Sequence, residues 1–148
     1  MSTTSTAAAR TTTNAEIVGA IYEAFGRGDV PAIIERLAPD VRWEDWADNE
    51  AQAADVPWMR ARHGRDEVYG FFAEAGKLEI TDFQVLDLLA SEHQVVAEVV
   101  IAANVPATGG SYRDEELHLW TFDADGLVTR LRHYTDTAKH VAVAEPGA

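Results

Sequence analysis

The chain has 148 residues and a formal net charge of −13, from 12 Lys plus Arg against 25 Asp plus Glu. That length suits one domain around one core, and 47% apolar with 25% charged residues is globular composition rather than that of a disordered chain. So acidic a balance argues against nucleic acid and anionic membrane as partners, and the absence of cysteine removes disulfides, thiolate chemistry and Cys-based zinc sites, with cytoplasmic the default location.

No stretch reads as membrane-spanning. The longest apolar run, 95–105, is broken by Glu98 and Asn104 and falls short of the roughly 20 residues a spanning helix needs. Residues 1–13 are Ser/Thr/Ala-rich without an apolar signal region and read as a disordered tail, and 142–148 as a second one. Between them, 14–141 reads as a single domain.

Asn14 is placed to cap a first helix in which Ile17, Ile21, Ala24 and Phe25 recur at helical spacing, with Gly26 and Gly28 ending it. Asp29 caps a short second helix with Pro31 in its first turn, and Pro39 stops it. Residues 41–46 alternate like a strand, which puts Val41, Trp43 and Asp45 on one face. The polar stretch 47–64 has no period and reads as a long loop, of the kind that is functional or mobile; its Arg60, Arg62 and His63 suit solvent or a closing lid. A third helix follows over 65–75, then strands over 78–89, 93–105, 112–122 and 127–135, separated by turn signals. Helices first and consecutive hairpins afterwards predict an α+β domain with three N-terminal helices packed on a curved antiparallel sheet.

The sheet carries an oddity. One face of 115–122 holds Glu116, His118, Trp120 and Phe122, yet the other holds Leu117 and Leu119, and 93–105 is apolar on both faces. A sheet with one wet face alternates apolar and polar, so this pattern predicts a homodimer through the sheet.

The order ααβ–loop–α–ββββ resembles the cone-shaped, nuclear transport factor 2-like fold shared by ketosteroid isomerases and SnoaL-like polyketide cyclases. The resemblance rests on 28–45 (GDVPAIIERLAPDVRWED), on 115–126 (EELHLWTFDADG) and on the closing strand 127–137 (LVTRLRHYTDT). It implies that Asp45 falls where the isomerases keep their proton-abstracting Asp, and His118 where they keep a hydrogen-bond donor to the dienolate oxygen. The isomerases' oxyanion Tyr would align with Ile21, with Tyr22 one position away, and His133 falls near the acid/base position of SnoaL-like cyclases. The positions that serve epoxide hydrolases of this fold hold Val99 and Ile101 instead of polar groups.

The residues themselves bear on these roles. A carboxylate among aromatics, as Asp45 would be beside Trp43, is raised in pKa by desolvation, which suits a general base. His118 and His133 sit on neighbouring strands, Glu116 is placed to orient His118, and Trp43, Trp58, Phe72, Trp120 and Tyr22 fit either a core or an apolar pocket wall. The five histidines show no ligand spacing, the Gly109–Gly110 pair precedes no helix, and no Gly-x-Ser-x-Gly occurs, so neither metal nor other cofactor is expected. The expectation is a cofactor-independent acid/base enzyme on an apolar carbonyl-bearing small molecule, with Asp45, His118 and His133 catalytic. The alternative is a non-catalytic small-molecule-binding or dimerisation module.

Overall fold

The computed structural model describes the backbone of residues 3–145 and side chains from residue 7 onward. Its elements are α1 (Thr3–Gly26), α2 (Val30–Ile34), β1 (Leu37–Trp43), α3 (Glu50–Ala53), a 3-10 turn (Pro57–Met59), β2 (Arg62–His63), α4 (Gly64–Ala75), β3 (Glu79–Ala90), β4 (Gln94–Val105), β5 (Gly110–Phe122), β6 (Val128–Tyr134) and α5 (Thr137–Ala144). The fold is α+β, as the element order predicts. The six strands form one sheet in the order β2-β1-β6-β5-β4-β3. Its long hairpins are antiparallel, but β1 pairs with β6 in parallel, so the sheet is mixed.

Local chemistry accounts for these elements. Asp29 accepts from the Ala32 N–H and caps α2, with Pro31 in its first turn. Asp123 accepts from the N–H groups of Asp125 and Leu127 in the β5–β6 turn, where Gly126 takes φ +80°, a conformation that costs glycine little. Register shifts within β3, between Ile80 and Asp82 and between Val85 and Asp87, mark bulges that bend the sheet around the helices.

Four expectations change. Helix α1 begins at Thr3, so described residues before 14 are helical rather than a tail; Met1 and Ser2 lie outside the described residues. Asn14 is therefore no cap. Its side chain is buried and donates to the Glu92 carbonyl at 2.9 Å, while Arg10 pairs with the Glu92 carboxylate. At the other end α5 runs to Ala144 with Val143 buried, so 142–144 belong to the domain, and 146–148 lie outside the described residues. Strand β1 starts and ends earlier than expected and contains Pro39, which the sheet tolerates at an irregularity between Leu37 and Arg42.

The fourth change concerns 47–64, which is built rather than loose. Asn49 caps α3, and Ala51, Val56, Trp58 and Met59 are buried in a second apolar cluster with Ile101, Tyr112 and Val143. Arg62 is 7% exposed, donates to the carbonyls of Arg60 and Pro57, and lies over the Phe71 ring. It is a buried staple of the segment, whereas Arg60 pairs with Asp55 at the surface. Among the described residues no helix is long and apolar enough to cross a membrane.

Candidate active site

The main apolar cluster, under α1, α2 and α4, and the second cluster, under α3 and α5, meet around a cavity of about 90 Å³. Trp43, Phe71 and Phe72 form one wall, with Trp43 edge-on to Trp120 at 5.9 Å between ring centroids. Tyr22, Phe25 and Phe83 form another. The polar groups come from the inward faces of β5 and β6 and from α5.

Alternation along β5 turns Asp114, Glu116, His118 and Trp120 inward. Antiparallel register sets His118 directly opposite His133 on β6, so their rings meet edge to face, 4.3 Å between centroids. The Trp120 indole N–H donates to the Tyr22 hydroxyl at 3.1 Å, and that hydroxyl lies 2.6 Å from His118 Nδ1. Burial raises the Tyr22 pKa, so the phenol keeps its proton and donates it to Nδ1. His118 then carries hydrogen on Nε2, which donates to Glu116 at 2.9 Å. Burial first, and the positive charge on His133 second, push the His118 pKa down and hold the ring neutral.

His133 is held the other way, by Glu44. Strand parity would turn Glu44 outward, but β1 ends at Trp43 and Glu44 takes φ +57°, which rotates its side chain inward. Its buried carboxylate accepts the backbone N–H of His133 at 2.7 Å and the ring Nδ1–H at 2.6 Å. Gln52 clamps the bend by donating to the Glu44 carbonyl at 2.6 Å. Burial works against a charged His133, but the Glu44 carboxylate outweighs it and raises the pKa. The ring lines the cavity, and among the described residues its Nε2 has no hydrogen-bond partner.

A third histidine closes the far end. His140 Nε2 lies 2.9 Å from Asp114 and 3.1 Å from Glu116, while the Trp58 indole N–H donates to its Nδ1 at 2.9 Å. Burial opposes protonation of His140, but its hydrogen bonds to the two carboxylates prevail and push the pKa up to about 9. The Trp58 bond pulls against this, because an imidazolium has no lone pair to receive an N–H. Protonating His140 therefore means releasing Trp58. Burial also works against charge on Glu116, yet hydrogen bonds from His118 and His140 hold its pKa well below the usual carboxylate range. Asp114, Glu116 and His140 bring ligand-type atoms within 4.8 Å of one another, a cluster that linear spacing hides. As arranged it is a hydrogen-bonded set, since a ring whose Nδ1 accepts from Trp58 keeps its hydrogen on Nε2.

The structure brings Tyr22, Trp43, Trp58, Phe72, His118, Trp120 and His133 together around one cavity. Asp45 is not among them. It follows the Glu44 turn outward, is part-exposed and pairs with Arg42 at 3.3 Å, so the expectation that it shares the inner face of Trp43 is corrected. Glu44, Asp114 and His140 were not foreseen. Nothing in Trp43–Trp46 signals a left-handed residue, but Asp136 followed by buried positions 140 and 143 is a readable short amphipathic helix.

A family model described as a SnoaL-like domain matches residues 18–131. Among solved structures, a nuclear transport factor 2-like protein from Burkholderia xenovorans LB400 is similar at 22% identity and a TM-score of 0.76, over 91% of this chain and 98% of that one. TerC, crystallised with polyporic acid, is 20% identical with a TM-score of 0.71, over 89% of this chain and 98% of that one. A proposed polyketide cyclase from Xanthomonas campestris pv. campestris is 22% identical with a TM-score of 0.68, over 92% and 99%. No curated protein matches the sequence.

Proposed function

Because the chain belongs to the SnoaL-like family, whose fold by itself fixes no reaction, we propose its activity from the cavity: proton transfer on an apolar, carbonyl-bearing small molecule, of the isomerase, cyclase or dehydratase type. The observation that carries this reading is the His118–His133 pair, 4.3 Å apart and pushed in opposite pKa directions. Two titratable groups so separated by their surroundings are an acid and a base. His133, charged and held through Nδ1 by Glu44, donates its free Nε2–H to the carbonyl oxygen and stabilises the developing enolate. His118, neutral, takes the proton from the adjacent carbon at Nδ1 once substrate displaces the Tyr22 hydroxyl. Returning that proton to another carbon isomerises the substrate; attack of the enolate on a second carbonyl cyclises it. The base role expected of Asp45 thus falls to His118 and the donor role expected of His118 to His133, with Glu44 as the group that positions His133.

Two relatives in fold, one crystallised with polyporic acid and one a proposed polyketide cyclase, support an organic ligand in such a cavity. The test is loss of α-deuterium from a panel of deuterated apolar ketones, followed by NMR. His118→Asn and His133→Asn should each slow exchange by roughly two to four orders of magnitude, with Asp45→Asn close to wild type. Equal exchange in wild type and both histidine variants would overturn the proposal.

A homodimer through the outer face of the sheet is part of the same proposal. Leu86, Leu89, Leu117 and Tyr134 are exposed, and across the register Leu117 pairs with Tyr134 and Leu119 with Val96. Glu98 lies opposite Leu117 on β4 and Arg132 opposite Leu119 on β6, so charges of both signs flank the apolar row. A two-fold copy of this chain matches such a face better than an unrelated partner does.

A further inference from the structure

The cavity is small for so aromatic a site, and it does not end where its rings meet. Tyr22 and Phe25 on α1 and Ile80 and Phe83 on β3 line the cavity from inside, and the same four residues line a groove of about 650 Å³ on the other side. Phe83 stands 5.3 Å from Phe25 and 5.9 Å from Tyr22, centroid to centroid, so the partition is a layer of side chains one ring thick.

The groove is shaped by what α1 omits. Gly19, Tyr22, Glu23 and Gly26 follow one another on a single helical stripe, and both glycines lie in the groove wall. A Cβ built on either glycine meets nothing within 4 Å, so the space before them is open. Gly19 weakens a helix interior relative to alanine, and no neighbour within 4 Å requires its missing Cβ. Among the described residues no Lys, Arg or His lines the groove; its charged members are Glu23 and Asp82, the latter paired with Arg113 at 3.0 Å.

We propose that this groove is a second subsite, which takes a long, uncharged apolar substituent of the substrate whose reacting ring sits between His118 and His133. The proposal rests on the reading of the cavity above and adds the substrate's shape and charge: a ring bearing a neutral tail that reaches the groove when the Phe83 ring turns away from its contact with Phe25. A tail ending in a carboxylate or phosphate faces Glu23 there, and the nearby Arg113 is already paired with Asp82.

Binding of 4-alkylphenols, measured by calorimetry, tests this. Phenol stands in for the enol, and 4-hexylphenol adds the tail. In the wild type each methylene should tighten binding by up to about four-fold, the value expected for a buried CH₂. Gly19→Phe and Gly26→Phe fill the groove from outside the catalytic cavity. Each should bind phenol as the wild type does while losing at least ten-fold for 4-hexylphenol, and Gly19→Ala should keep the full gain. A 4-hydroxyphenyl hexanoic acid tail should bind the wild type at least ten-fold more weakly than 4-hexylphenol. Unchanged 4-hexylphenol binding in both Phe variants, or no gain over phenol in the wild type, would overturn the subsite. Equal binding of the acid and the hexyl tail would overturn its neutral character. If the tail gain and its dependence on Gly19 persist while His133→Asn binds phenol unchanged, the subsite stands and the acid/base reading fails.

Discussion

Glu44 spends backbone energy to reach His133. A side chain at φ +57° sits in the left-handed region, where non-glycine residues cost on the order of 1 kcal/mol or more. Two hydrogen bonds to His133 and one from Gln52 hold it there. Glu44→Gln keeps the shape and removes the charge that raises His133. The His133 titration, followed by NMR of its ring protons, should then shift to lower pH, and deuterium exchange should fall off at a lower pH on its alkaline side. An unmoved His133 titration would show that Glu44 does not set its charge. This residue also marks the limit of reading the site from sequence. His118 and His133 were legible because strand alternation fixes their face. Alternation points to Asp45 for the carboxylate beside them because it carries two residues past the end of β1, across Glu44, where a single dihedral reverses the parity.

At the scale of elements, strands β3 to β6 lie within two residues of their predicted bounds, because each is long, alternating and closed by turn residues. Segment 47–64 resisted for the opposite reason. Elements of four, three and two residues leave no periodic trace, and their burial comes from contacts with β5 and α5 that are distant in sequence. The first half of α1 hid behind Thr and Ser, poor interior helix formers; here the Thr11 hydroxyl bonds back to the Ala7 carbonyl and Thr12 to Ala8. Trp58 is the rivet of the short segment, stacked parallel to Tyr112 at 6.4 Å and bonded to His140. Trp58→Phe keeps a ring and removes the N–H, so it should cost about 1 kcal/mol in urea unfolding. Trp58→Ala also opens a hole and should cost about 3–5 kcal/mol. Equal costs would mean that the hydrogen bond to His140, rather than packing, holds the segment.

For the molecule as a whole, four titratable groups around the cavity bend stability in opposite directions with pH. His133 is raised on folding, and so is His140 once Trp58 releases its ring, so their contribution is full below the unfolded value of about 6.5 and is lost as pH rises through their folded values. His118 and Glu116 are lowered, so theirs is full above unfolded values of about 6.5 and about 4.3 and is lost as pH falls through the folded ones. Urea midpoints should therefore peak near about pH 6.5 and decline toward both about pH 5 and about pH 9; a monotonic trend would contradict the opposed pair. The proposed dimer is checked separately. Leu117→Glu places a charge in the middle of the exposed row, and sedimentation should show the wild type at twice the mass of one chain and the variant at one. The same mass for both would remove the sheet face as an interface.

Three of the four tryptophans, Trp43, Trp58 and Trp120, line the cavity, and the fourth, Trp46, lies outside it, edge-on to Tyr134 and under the Arg132 guanidinium. The protein therefore carries its own optical reporter. In a Trp46→Phe variant all the remaining indole emission arises from the cavity wall, so any compound that enters changes the colour or yield of that light. A substrate can be sought by fluorescence alone, without a label and before any reaction is known.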